Sequence, residues 1–135
     1  MTTRFLLDTN ALSQLVRDPR GTVGTRLREV GDSNVFTSII VACELRYGAR
    51  KRGSAVLTER VERLLASIDV APLESGVDPL YAEIRHELES KGTPIGSNDL
   101  LIAAHALEQR ATLVTDNVAE FQRVPGLHIE NWVRP

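Results

Sequence analysis

The sequence predicts an α/β fold, a mainly parallel sheet with helices packed on both of its faces. Three observations predict it. Short apolar runs alternate along the chain with segments of helical period, the pattern of strands joined by helical crossovers. Two of those runs end abruptly at Asp8 and Asp116, as strands do where they reach a polar edge. Residues 100–107, LLIAAHAL, are apolar nearly all round, as a helix buried at the centre of a layer must be.

Taken in order, Phe5 to Leu7 is a strand ending at Asp8, and Thr9 and Asn10 lead into a helix through Leu12, Leu15 and Val16. Asp18, Pro19, Arg20 and Gly21 break the chain before a second helix from Val23 to Val30. A turn over Gly31 to Asn34 precedes a strand from Val35 to Thr37. Ser38 is placed to cap a helix from Ile39 to Lys51, with Val41, Leu45 and Ala49 inward and Glu44 bordering them. Val56, Leu57, Val61, Leu64, Leu65 and Ile68 mark the next helix, and Val70 to Leu73 a third strand. Tyr81, Ile84 and Leu88 mark a helix ending near Gly92. Ser97 is the expected N-cap of the buried helix that opens with Asn98 and Asp99. A strand from Ala111 to Thr115, a short helix from Val118 to Arg123 and a strand from Leu127 to Asn131 complete the chain.

At 135 residues the chain is long enough to bury one core, and residues 1–135 are expected to form a single domain. The start, MTTRFLLDTN, fits neither a signal peptide nor a membrane span, so a cytoplasmic protein is expected. The single cysteine, Cys43, agrees: it has no partner for an internal disulfide or a zinc site, and on its helix it is expected to be a small core residue. A net charge of −2 supplies no global basic field, so any nucleic-acid surface must be local. Only Lys51 and Lys91 of the 16 basic residues are lysines, and arginine is the better bidentate phosphate binder.

Four acids carry the chemistry. Asp8 and Asp116 stand at strand ends, where open α/β sheets bind ligands. Asp99 lies in the first turn of the buried helix, and Glu44 on the helix after the second strand. Each alone has a structural explanation: a helix dipole for Asp99, an Asx turn for Asp8, a solvated edge for Glu44, a turn pair for Asp116 with Asn117. Converging on one cleft, they would repel one another unless a cation compensated them. Oxygen ligands select hard ions, Mg²⁺ or Mn²⁺, which activate water and stabilise a phosphoryl group under attack. Phosphodiester hydrolysis is the chemistry implied. Glycine-rich phosphate loops and nucleophile elbows are absent from the sequence, and His86, His105 and His128 lack metal-ligand spacing.

The segments LLDTNALS, ACELRYGA, GTPIGSNDLLIAAHAL and LVTDNVAEFQRVPGLHIENW, in this order over nearly the whole chain, resemble the successive motifs of VapC-type PIN-domain toxins. That resemblance implies a three-layer α/β/α fold, a homodimer, and inhibition by a small antitoxin through which DNA is bound indirectly. It also implies a Mg²⁺- or Mn²⁺-dependent endoribonuclease, often acting on structured RNA such as tRNA. The matching acids are Asp8, Glu44 and Asp99, with Asp8 and Asp99 as metal anchors and Asn10 and Ser97 as polar neighbours. Where many relatives have Asp two residues after the late-strand Thr, this chain has Asn117, and Asp116 falls one residue earlier. The fourth site residue is therefore Asp116 or Asn117, and Asp116 is the expectation on charge. Arg46, Arg50, Lys51 and Arg52 are candidates to hold RNA.

Two other readings compete. An aspartyl-nucleophile phosphatase would want a second Asp two residues after Asp8, where Asn10 stands. A non-catalytic binding module, acting only inside a DNA-binding repressor complex, would neither bind metal nor cleave RNA.

Overall fold

The computed structural model describes residues 2–135. Five strands, β1 (Phe5–Leu7), β2 (Val35–Ser38), β3 (Asp69–Ala71), β4 (Thr112–Val114) and β5 (Ile129–Glu130), form one sheet in the order β3-β2-β1-β4-β5. All four pairings are parallel, with Leu6 opposite Phe36 on one side and Leu113 on the other. Every residue of β1 and β2 is buried, as expected of strands covered on both faces.

The helices are α1 (Thr9–Arg17), α2 (Thr22–Val30), α3 (Ile39–Arg52), α4 (Ala55–Ser67), α5 (Val77–Ser90), α6 (Ser97–Glu108) and α7 (Val118–Phe121). Their layering follows from the handedness of crossovers. The path β1 to β2 to β3 moves in one direction across the sheet, and the step from β3 to β4 reverses it. Right-handed crossovers therefore put α1 to α4 on one face and α5 to α7 on the other. The packing agrees, with α1 against α2, α3 and α4, and α5 against α6. The result is a three-layer α/β/α fold. The reversal lies between β1 and β4, so the crevice at their carboxyl ends is where a ligand belongs.

The core packs both layers against β1, β2 and β4, with Leu6, Leu7, Phe36, Ile102, Leu113 and Phe121 at most 1% exposed. At the corner from α1 to α2, Gly24 lets the chain pass close to Pro19, whose carbonyl oxygen would lie 2.1 Å from a Cβ at residue 24. α3 stops at Gly53, whose φ of +65° closes a left-handed C-cap with its N–H on the carbonyls of Ala49 and Arg50.

Four local expectations need correction. β3 covers Asp69–Ala71 rather than Val70 to Leu73, because Pro72 offers no N–H to continue the ladder. α1 begins at Thr9, directly after its N-cap Asp8. Ser97 is the first residue of α6, and Gly96 is the N-cap with no side-chain bond. Cys43 is exposed on the outward face of α3, not part of the core. Among the described residues no helix is long and apolar enough to cross a membrane.

Candidate active site

Asp8 leaves β1 at the crevice with only 4% of its surface exposed. As N-cap of α1 it accepts the N–H of Ala11 at 3.0 Å on Oδ1. Its backbone N–H continues the sheet by donating to Val114 O at 3.0 Å. A second side-chain bond comes from Thr115, the residue just past β4. Burial nevertheless pushes the Asp8 carboxyl up to about 6, and the charge of Glu44 adds to the rise, against the opposing hydrogen bonds from Thr115 and Ala11.

Asp99 projects from the first turn of α6, on the far side of the crevice. Its carboxyl is pushed up to about 7, by burial first, then by the charge of Glu120 and a hydrogen bond shared with it, then by Glu44 and Asp8. Glu120, from α7, is the carboxylate that sequence reasoning missed. Its Oε1 accepts the Gly96 N–H at 2.9 Å, and its Oε2 accepts a very short bond from Asn117 Nδ2. The signal that could have found Glu120 was its place three residues after Asn117 in the first turn of a short helix.

Glu44 borders the same crevice from α3. Thr9 donates its hydroxyl to Glu44 Oε1 in a short hydrogen bond, and Asn98 Nδ2 donates to Oε2 at 3.4 Å. The structure thus brings Asp8, Glu44 and Glu120, each from a different element, to act electrostatically on Asp99. Asn10 and Ser97 lie at the rim and are exposed.

Asp116 does not join them. Arg134 clasps it with Nε at 2.9 Å and Nη2 at 3.1 Å, and Asn131 adds a bond at 3.0 Å. These partners, Arg134 foremost, hold its carboxyl below the ordinary carboxylate value. Alternation decides the geometry: Thr115 faces the crevice, Asp116 faces away, and Asn117 faces it again with its N–H on Thr115 Oγ1 at 3.0 Å. Arg46, expected near RNA, is committed to Glu62 on α4 through bonds of 2.8 and 2.9 Å. Arg50, Lys51 and Arg52 are exposed at the end of α3, about 9–12 Å further along the helix axis than Glu44 at 1.5 Å per residue.

Among the described residues no three acidic, histidine or cysteine groups already stand in a metal-holding cluster. The crevice is an acidic site whose carboxylates are held by hydroxyl, amide and backbone donors.

This fold, with acids at the carboxyl edge of a parallel sheet where the strand order reverses, defines a class, and comparison with known proteins gives it a family. A family model for the PIN domain matches residues 5–127, and the chain belongs to the PIN-domain family. Within it, the chain is similar to the VapC ribonucleases. Ribonuclease VapC2 of Rickettsia felis is 36% identical over 130 residues, 95% of this chain and 97% of that protein. The tRNA(fMet)-specific endonuclease VapC of Salmonella typhimurium is 34% identical over 133 residues, 96% and 98%. Among solved structures, VapBC2 from Rickettsia felis bound to a DNA fragment from their promoter matches with a TM-score of 0.88 and 35% identity, over 96% of this chain and 99% of that one. DNA-bound VapBC from Salmonella typhimurium matches with a TM-score of 0.86 and 33% identity, over 96% and 98%.

Proposed function

We propose that this chain is a divalent-metal-dependent endoribonuclease, the toxin of a toxin-antitoxin pair, in which Asp8, Glu44, Asp99 and Glu120 form the working site within one catalytic domain. The observation that carries this is the pair Asp8 and Asp99 at the reversal of strand order, raised to about 6 and about 7 by burial and by one another's acidic neighbours. Carboxyls so raised are short of positive charge, and a bound cation would supply it. The donors are all oxygen, which fits Mg²⁺ or Mn²⁺ and disfavours softer ions. Asp8 and Asp99 would anchor the ion, and Glu44 would help to hold it.

When bound, a divalent ion supplies charge to the phosphoryl oxygens and lowers the pKa of a water for in-line attack. The chain's own groups do the rest. Thr115 fixes the Asp8 carboxylate, Thr9 and Asn98 hold Glu44, and Asn117 with the Gly96 N–H aims Glu120. Glu120 is placed to take up the proton released by the attacking water. As the water oxygen bonds to phosphorus the P–O3′ bond breaks, the leaving 3′-oxygen takes a proton from solvent, and the products would carry 5′-phosphate and 3′-hydroxyl ends. Asp116, closed by Arg134, lies outside this set. The relative named a tRNA(fMet)-specific endonuclease makes structured RNA the substrate class to test.

The relatives solved as VapBC complexes support a protein antitoxin, through which DNA would be bound indirectly. A groove of about 650 Å³, lined by Leu15, Leu27 and Leu64 with Arg28, Arg60 and Arg63, fits an amphipathic acidic segment of that partner. None of the four carboxylates lines it. The outward face of α3, with Ile39, Cys43 and Tyr47 exposed at one-turn spacing, is the surface a second copy would cover in a homodimer.

The test is RNA cleavage by the purified chain freed of partners. Mg²⁺ or Mn²⁺ should support cleavage, a chelator should abolish it, and Asp8→Asn and Asp99→Asn should each remove it. Cleavage indifferent to metal, or undiminished in both variants, defeats the proposal, and no metal binding with no cleavage favours a binding module.

A further inference from the structure

His105 lies in the last turn of the apolar helix α6 and is completely buried. Its Nδ1 is 2.8 Å from Ser38 Oγ, also completely buried at the end of β2. Ser38 is the N-cap of α3, where its Oγ accepts the Ile40 N–H at 3.1 Å. Nε2, the other ring nitrogen, is buried with no partner among the described residues.

The proton count assigns the roles. Ser38 Oγ has one proton to give, and the His105 nitrogen is the acceptor within reach. If the hydroxyl donates to Nδ1, both the hydroxyl and Nδ1 are used, and a single orphan, the Nε2 N–H, remains. The reverse tautomer would strand both the Ser38 proton and the Nε2 lone pair. Burial lowers the His105 pKa below its ordinary value, which keeps the ring neutral and able to accept.

A buried orphan donor is a cost that an apolar residue of similar volume would remove. Its persistence in an otherwise apolar helix asks for a return. α6 carries Asp99 and α3 carries Glu44, on opposite faces of the sheet. At the mouth of the crevice, among the described residues, only the long 3.4 Å hydrogen bond from Asn98 to Glu44 joins these helices, whereas His105 and Ser38 join them inside the core.

We infer that His105 is a positioning residue: its hydrogen bond with the α3 cap residue Ser38 fixes the helix carrying Glu44 against the helix carrying Asp99. The inference rests on the metal-dependent reading above. His105 touches neither substrate nor ion. It sets the distance between two acids that must close on one cation, a separation on which ion affinity depends steeply.

Two substitutions separate positioning from simple packing. His105→Asn places an amide oxygen where Nδ1 stands, keeping the bond to Ser38 but leaving a void. His105→Leu fills the volume and removes the orphan donor, but loses the bond. Thermal unfolding of the metal-free chain should rank Leu at or above Asn in stability. Mn²⁺ binding, measured on the full chain by calorimetry or electron paramagnetic resonance, should rank them the other way, with Asn close to wild type and Leu about 10-fold weaker. Affinities that follow the stability order, or that equal wild type in both variants, overturn the inference and leave the metal site standing. A wild-type chain that binds no Mn²⁺ overturns both.

Discussion

Replacing Asp8 with Asn should make the metal-free protein more stable at neutral pH while abolishing its metal response. The carboxyl is raised from 3.8 to about 6, chiefly by burial. At ~1.4 kcal/mol per pH unit, that rise means the ionised Asp8 costs the folded state about 3 kcal/mol above pH 6. The sign follows from proton binding. Between pH 4 and 6 the folded chain holds the Asp8 proton more tightly than the unfolded chain does, so stability falls as pH rises through this window. Below pH 4 both states are protonated and the cost vanishes. Asn keeps an oxygen for the Ala11 N–H and carries no charge, so it escapes the burial cost. Its bonds to neutral partners are weaker than those of a carboxylate, which leaves a gain of about 1–3 kcal/mol at pH 8. Urea unfolding in the presence of chelator, at pH 8 and pH 4, measures it, with unchanged m values showing that only stability moved. A variant less stable than wild type at pH 8, or shifted by the same amount at both pH values, refutes the reasoning.

Other consequences are open to measurement. Metal affinity should rise with pH from 6 to 8, because the Asp99 carboxyl is pushed up to about 7 and its proton competes with the ion; titrations of Mn²⁺ at three pH values check this, and a flat profile contradicts it. Glu120→Gln should lower single-turnover cleavage at matched metal by about 10- to 100-fold, while Asp116→Asn should leave it within about threefold; the opposite order returns the fourth role to Asp116. Gly24→Ala should destabilise the chain by about 1–3 kcal/mol, since its Cβ would fall 2.1 Å from the Pro19 oxygen, and equal urea midpoints would count against that corner. Leu64→Asp should abolish capture of the cognate antitoxin without altering cleavage by the free chain, because the groove and the crevice share no residue; loss of cleavage would show that they communicate.

Much of the fold was legible because its signals are local. Apolar period and helix breakers placed each helix, and the alternation of strand and helix implied a parallel sheet. The errors cluster where a neighbour overrides the local rule. Ser97 has the chemistry of an N-cap, yet the crevice needs the chain to turn one residue earlier, at Gly96, whose N–H goes to Glu120 instead. Cys43 sits on an amphipathic helix, but the residues that turn inward around it are Val41, Ala42 and Leu45, and it is left outside.

The site was only half legible for a deeper reason. Asp8 could be found because it ends a strand, Asp99 because it opens the apolar helix, and Glu44 because it borders the apolar face of α3. Glu120 could not, since what recruits it is the backbone of Gly96 and the amide of Asn117, 24 and 3 residues away in sequence. Asp116 was favoured because a charge outweighs an amide when only residue types are compared. Strand alternation gave the opposite answer, and it holds in space: Asn117 enters the crevice as the support of a carboxylate rather than as a carboxylate itself. At Asp8 the local and the functional demands coincide in one side chain, where a single carboxylate caps α1 and faces the crevice. Cap preference would accept Ser, Thr or Asn at that position as readily as Asp. Only the acid would carry the electrostatic cost of burial, so what selects Asp there is the charge, and with it the cation that the charge is proposed to hold.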